Sequence, residues 1–145
     1  LRSLVGSEMC IRDRLDVWGL YNGEGERTLG IYDVYHSYNL SVSNYTQSDS
    51  QQFSLANESL YKRFEADPDF ANQMEAKYPG IKDHVSPGKK GGFSTDAPPG
   101  TTWHHSDTPG ILELVDRNDH QKYHKIYHPD GSGGRKKWGG GTICR

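Results

Sequence analysis

No stretch of this chain stays apolar for anything near the roughly 20 residues a membrane-spanning helix needs, which leaves no candidate helical span in the sequence. Cysteine is almost missing. Cys10 and Cys144 sit near opposite ends, and two so placed make no disulfide framework, although one stapling bridge between them is open. Hydrophobic residues are scarce too, at 32% against 17 Gly and 7 Pro, so the core is small and much of the chain is loop. A length of 145 residues allows one domain, or one domain with an extension. No internal repeat is visible.

Charge is present but segregated. Residues 15–75 carry three Lys/Arg (Arg27, Lys62, Arg63) against ten Asp/Glu, a net of −7. Residues 76–145 carry eleven against seven, a net of +4. The second half suits a polyanionic partner and the first does not.

Residues 1–14 read oddly. The string Ser3-Leu-Val-Gly-Ser-Glu-Met-Cys-Ile-Arg-Asp13 is similar to a translated sequencing-adapter read and lacks the apolar core of a secretion signal. They are set aside as non-native, and Cys10 with them. Residues 15–55 read as an extension or linker with short strands, the β-prone run Ile31–Val42 supplying one or two of them and Ser43–Gln52 an exposed loop. Residues 56–145 form the main domain. Helical sequence runs from Ser54 to Phe64, with Leu55, Leu60 and Phe64 on one stripe. Asp67-Pro68 caps and opens a second helix bearing Phe70, Met74 and Tyr78, which Pro79-Gly80 stops. A Pro/Gly-rich basic loop over 84–100 contains Lys89 and Lys90. Thr101–His105 and Ile111–Val115 then read as strands around the turn Asp107-Thr108-Pro109-Gly110. Asp116 caps a helix from about Arg117 toward Tyr127, ended by Pro129 and a Gly-rich tail. The fold class is therefore α+β, a small ββα core with preceding helices and long loops.

Five of the seven histidines fall inside that ββα unit: His104, His105, His120, His124 and His128. A histidine pair on a strand facing histidines on a following helix is the arrangement from which a small fold builds a divalent-metal site. Strand neighbours point to opposite faces, so His104 and His105 take separate roles, one ligating a metal and the other accepting a proton from water. His120 and His124 are one helical turn apart and reach one ion together. His128 lies roughly 12 Å from His120 on a straight helix and joins only where the helix ends early, which His128-Pro129-Asp130-Gly131 permits. Trp103 reads as a core anchor. Asp116 and Asp119 read as helix-cap groups, with Asp119 a candidate to orient a ligand imidazole. His36 and His84 lie outside the cluster and receive no role.

The run Gly100-Thr-Thr-Trp-His-His105, then Pro109-Gly-Ile-Leu-Glu-Leu-Val115, His120, His128-Pro-Asp-Gly-Ser-Gly-Gly-Arg135 and Trp138-Gly-Gly-Gly141 resembles the WHH-type nuclease domains. These belong to the HNH/endonuclease VII (ββα-metal, His-Me finger) superfamily, and many are C-terminal toxin modules of bacterial polymorphic toxins. The resemblance extends upstream through Tyr78-Pro-Gly-Ile81 and Pro87-Gly88 to cover about residues 67–141. It implies an endonuclease that uses one divalent metal ion (Mg, Zn or Ni) to hydrolyse phosphodiester bonds. His104 matches a metal-binding position, His105 the general base and His120 the first helix ligand, with a swapped His104/His105 assignment as the alternative. The second helix ligand stays open: the helical spacing favours His124, the His-Pro-x-Gly-x-Gly-Gly pattern His128. Many relatives have a third consecutive histidine where this chain has Ser106, which leaves the strand-side ligand count open. Arg135, Lys136 and Lys137, with Lys89 and Lys90, are the phosphate-contact candidates. The implied partners are nucleic acid, DNA ahead of RNA, and a cognate immunity protein. The implied location is secreted or delivered into a target bacterial cytoplasm, or otherwise cytoplasmic. Two other classes compete: a non-catalytic, zinc-stabilised nucleic-acid-binding module, and a housekeeping junction or repair nuclease.

Overall fold

The computed structural model describes residues 32–128 and 133–139. The adapter-like residues 1–14, the segment 15–31, the turn at Pro129-Asp130-Gly131 and both cysteines lie outside the described residues. The chain divides into two units, Leu1–Tyr32 and Asp33–Arg145; the elements below belong to the second.

Its centre is a hairpin. Strands β2 (Thr101–His105) and β3 (Ile111–Asp116) run antiparallel, with Trp103 opposite Leu114, His104 opposite Glu113 and His105 opposite Leu112. The reversal rests on Gly110, whose φ of 83° is one that side-chain-bearing residues rarely adopt. The Tyr45 ring fills the space a Cβ there would need. Strand β1 (His36–Asn39) pairs with the other edge of β3, giving the order β1-β3-β2. The tyrosine-rich run Ile31–Val42 thus yields one strand among the described residues.

Helices cover one face of this sheet. α1 (Asp49–Ala66) starts within the segment expected to be exposed loop. Ser48 and Gln51 form a reciprocal cap, each side chain meeting the other's backbone N–H, and a 3-10 turn over Val42–Asn44 precedes them. The apolar stripe hid this start because the helix's first buried side chain is polar, Gln52. α2 (Pro68–Lys77) opens as expected, with the Asp67 carboxylate accepting from the Phe70 N–H. A short α3 (Ile81–Val85), unforeseen in the sequence, buries both its ends. Ala56, Leu60 and Phe64 of α1 pack with Met74, Ile81, Val85, Trp103, Leu112 and Leu114 into one apolar cluster. Each large side chain so buried contributes roughly 1.5–3 kcal/mol.

Asn57, at 0% exposure, ties three parts of the fold together. Its Nδ2 donates to the carbonyls of Ser94 and Asp96, at 2.9 and 2.8 Å, and its Oδ1 accepts from the Trp103 indole N–H at 2.9 Å. Trp103 is thereby the core anchor the sequence suggested, and the basic loop is held from inside.

The last helices depart furthest from expectation. The helix predicted from Arg117 to Tyr127 breaks at Tyr123 (φ −114°, ψ 43°) into α4 (Arg117–Lys122) and α5 (His124–Tyr127). Asp116 caps α4 as predicted, accepting from the Asp119 N–H at 2.9 Å. The Gly-rich tail is not featureless, since α6 (Gly134–Lys137) lies against β2. Gly134 is required there, because a Cβ would overlap the carbonyl oxygens of His105 and Ser106.

Asn57→Ala strands a buried indole N–H and two loop carbonyls at once. It should destabilise the fold by about 2–3 kcal/mol, read as a lower urea midpoint with an unchanged slope. A loss below about 0.5 kcal/mol would show that water replaces the amide.

Candidate active site

Alternation along β2 sends consecutive side chains to opposite faces of the sheet. Trp103 and His105 face α1, where they meet Asn57 and Gln52. His104 faces the other way, onto α4 and α5, beside its cross-strand partner Glu113. The two adjacent histidines therefore sit in different surroundings.

His104, at 2% exposure, joins His120 of α4 and His128 just past α5. One ring nitrogen from each of the three lies within 4.8 Å of the others. Ring centroids are 5.1 Å apart for His104–His120, 4.7 Å for His104–His128 and 5.4 Å for His120–His128. The break at Tyr123 makes this possible, since it turns His128 back toward His120 instead of carrying it two turns up a straight helix. Tyr127 holds the fold-back. Its hydroxyl donates to Asp119 of α4, and its ring packs edge-on to His104 and His120, with centroids 5.2 and 4.7 Å away.

Glu113 Oε1 lies 3.1 Å from His104 Nδ1. An ionised carboxylate only accepts, so Nδ1 carries the proton and Nε2 presents its lone pair to the cluster. Burial, and then repulsion from His104, His128 and His124, lowers His120 to about 3. Burial, with His104 and His124 next, lowers His128 to about 4. Both rings are thus neutral at pH 7, the state in which imidazole ligates a metal. His120 Nε2 and His128 Nδ1 are buried with no hydrogen-bond partner among the described residues. His124 is exposed. Its ring lies 4.8 Å from His128 but 6.3 Å from His120, and it is outside the three-histidine group.

His105 packs between Phe53 and Trp138, with ring centroids at 6.2 and 5.3 Å. Its Nε2 lies 2.7 Å from Gln52 Oε1 and 3.7 Å from Asp49 Oδ1. Asp49 also meets Arg135 at 3.4 Å. Of the other basic candidates, Lys137 pairs with Asp107 at 3.0 Å, Lys136 is exposed on α6, and Lys89 and Lys90 form an exposed turn after α3. His36 and His84 stand apart, bonded to Ser59 and to the Asp96 carbonyl.

Four residues of this site had no role assigned from the sequence. Glu113 had a usable signal, because the Pro-Gly turn fixes a register that places it opposite His104. Tyr127 had a weaker one, lying eight residues after Asp119. Asp49 and Gln52 had none, being more than 50 residues from His105 and brought to it only by tertiary packing.

Residues 93–141 match the WHH family, described as a nuclease of the HNH/ENDO VII superfamily with conserved WHH. Among curated proteins and solved structures, nothing matches the chain. The α+β class expected from the sequence is the one observed.

A histidine held neutral by the fold stabilises it at neutral pH and opposes it in acid. The unfolded chain binds protons near 6.5, whereas folded His120 and His128 bind them only near 3 and 4, so stability is complete above about pH 6.5 and falls as pH drops toward 4. Without added metal, the urea midpoint should decline steadily across that window. His128→Gln should flatten the decline. A midpoint that is flat in the parent protein would mean that the cluster protonates as freely folded as unfolded.

Proposed function

With residues 93–141 matching the WHH nuclease family, we propose that this chain is a divalent-metal-dependent endonuclease, acting on DNA ahead of RNA, with His104, His120 and His128 as metal ligands and His105 as general base. The observation that carries the proposal is the convergence of three imidazoles, two of them with buried nitrogens that meet no partner among the described residues. Buried polar atoms are costly unless something satisfies them. Neutral imidazole suits Zn, Ni and similar ions, which His104, His120 and His128 would hold. An ion bound there supplies a Lewis acid for the charge on the phosphate oxygens.

The chain's own groups have distinct tasks. Glu113 fixes the tautomer of His104, and Tyr127 with Asp119 fixes the spacing of the helix-side ligands. His105 accepts the proton of the attacking water. Lys136, Lys89 and Lys90 are exposed for phosphate contact. Arg135 and Lys137 sit in ion pairs with Asp49 and Asp107, and partly exposed pairs of this kind are worth about 0–1 kcal/mol, weak enough to yield to a phosphate. On the resemblance to polymorphic-toxin modules, we extend the reading to a toxin segment secreted or delivered into a target bacterial cytoplasm. Its partner would be an immunity protein that binds it and blocks cleavage.

Plasmid cleavage should stop in chelator and return with added divalent ion. His120→Ala and His128→Ala should each weaken metal binding at least about tenfold in calorimetry, while His124→Ala leaves it unchanged. His105→Ala should keep the metal and lose roughly 10²-fold in rate. Protein that binds metal and DNA yet never cuts would be the zinc-stabilised binding module, and a strong preference for branched DNA would mark the junction nuclease.

Salt dependence tests the basic residues separately. Converting Arg135, Lys136 and Lys137 to Gln should weaken binding to all duplex sequences alike and lower the salt slope by about 0.9 for each phosphate no longer neutralised. An unchanged slope would assign phosphate neutralisation to Lys89 and Lys90 instead.

A further inference from the structure

We propose that Gln52, on the helix α1 that precedes the matched segment, is a positioning residue of the nuclease centre. It holds His105 as the Nε2–H tautomer, and so makes Nδ1 the nitrogen that takes the proton from water. The catalytic half of this inference rests on the reading of His105 as general base.

The argument begins at the other end of the Gln52 side chain. Gln52 is wholly buried, and its Nε2 lies 2.9 Å from the carbonyl oxygen of Asn44 and 2.8 Å from that of Tyr45. Carbonyl oxygens only accept, so the group facing them is the NH2, with both hydrogens used. The opposite amide orientation would set two oxygens against a third at hydrogen-bond distance, in a place that water does not reach. Orientation of a buried amide is settled by such a network. The amide oxygen therefore faces His105 Nε2 at 2.7 Å, and an oxygen acceptor at that distance requires a proton on Nε2. The Asp49 carboxylate, 3.7 Å from the same nitrogen, favours the proton there as well. In a neutral imidazole with Nε2 protonated, the basic lone pair is on Nδ1. Nδ1 is bonded to Cγ and is the ring nitrogen nearer the strand backbone, whereas Nε2 is directed into α1. The fold thus selects which end of the base works.

The amide is itself braced. Asn44 closes the 3-10 turn, and Tyr45 packs against Trp138 with ring centroids 5.2 Å apart. Trp138 packs in turn at a tilt against His105 and donates its indole N–H to the Ser106 carbonyl at 2.7 Å. A ring confined by Phe53 and Trp138 cannot turn over to exchange its nitrogens without displacing an aromatic neighbour.

The test reads the tautomer directly. In zinc-loaded protein labelled with ¹⁵N-histidine, a long-range ¹H–¹⁵N correlation spectrum near pH 7.5 separates protonated from lone-pair nitrogens, and the signal absent in His105→Ala identifies His105. The expected result is a protonated Nε2 and a lone-pair Nδ1. Gln52→Met, close in size but with no acceptor, should mix or reverse that pattern. It should also lower kcat at least about tenfold, with KM within about twofold and metal affinity unchanged. Gln52→Glu keeps an acceptor and should keep the tautomer. A proton on Nδ1 in the parent protein overturns the proposal even if no variant folds, as does a folded Gln52→Met that cuts at the parental kcat. A shift produced by Asp49→Asn but not by Gln52→Met transfers the role to Asp49. Should the parent protein cut nothing with any divalent ion while showing the expected tautomer, the nuclease reading fails and Gln52 is left with a purely structural effect on His105.

Discussion

The candidate site depends on one hydrogen-bonded register, that of β2 against β3. Pairing Trp103 with Leu114, His104 with Glu113 and His105 with Leu112 assigns every important side chain of the strand to a face. A slip of one residue would exchange those faces, sending His104 into α1 and His105 toward α4. The pairing is secured at the turn by Gly110 and from the core by the Trp103–Asn57 bond. The second of these makes the apolar core and the placement of the histidines a single problem, because the indole that fills the core is also the residue that keeps the strand from sliding.

Different physical forces govern the two faces. On the α1 side the core is made mainly of apolar contact, with a few buried polar groups, Gln52 and Asn57 among them, satisfied by hydrogen bonds to backbone. On the α4–α5 side three imidazoles are crowded together, and burial with the neighbouring histidines lowers the basicity of His120 and His128. Such crowding of potential cations is tolerable only while all stay neutral, and the Glu113 and Tyr127–Asp119 contacts hold them in place. The face that stabilises the fold and the face offered to a metal are thus separated by one strand's thickness.

Much of this was legible in the sequence, and for identifiable reasons. The hairpin, its turn and the Asp116 cap follow from β-branched residues, a Pro-Gly pair and an Asp in the right order, all of them local effects. The concentration of histidines in the ββα unit pointed to the cluster in which His104, His120 and His128 converge. What stayed hidden depends on long-range contact or on cancelling local signals. The break at Tyr123 leaves no proline or glycine to announce it, so the straight helix favoured His124 while the folded one brings in His128. The Ser48–Gln51 cap was readable, but the polar turns after it outweighed it. Gln52 and Asp49 could not be linked to His105 by spacing at all. The Gly-rich basic tail carried no local sign of a helix, whereas Gly134 and Trp138 fit it closely to β2.

That close fit bears on how the protein behaves in a crowded solution. β2 is an edge strand, and an edge strand presents unpaired backbone groups on which another chain can build a further strand. Here the Ser106 carbonyl beyond one end of β2 is taken by the Trp138 indole, with Gly134 against it, and the Thr101 carbonyl at the other end accepts from the Arg117 guanidinium. Both ends of this edge strand are thus already occupied by groups of the same chain, which leaves an incoming strand less free backbone on which to begin pairing.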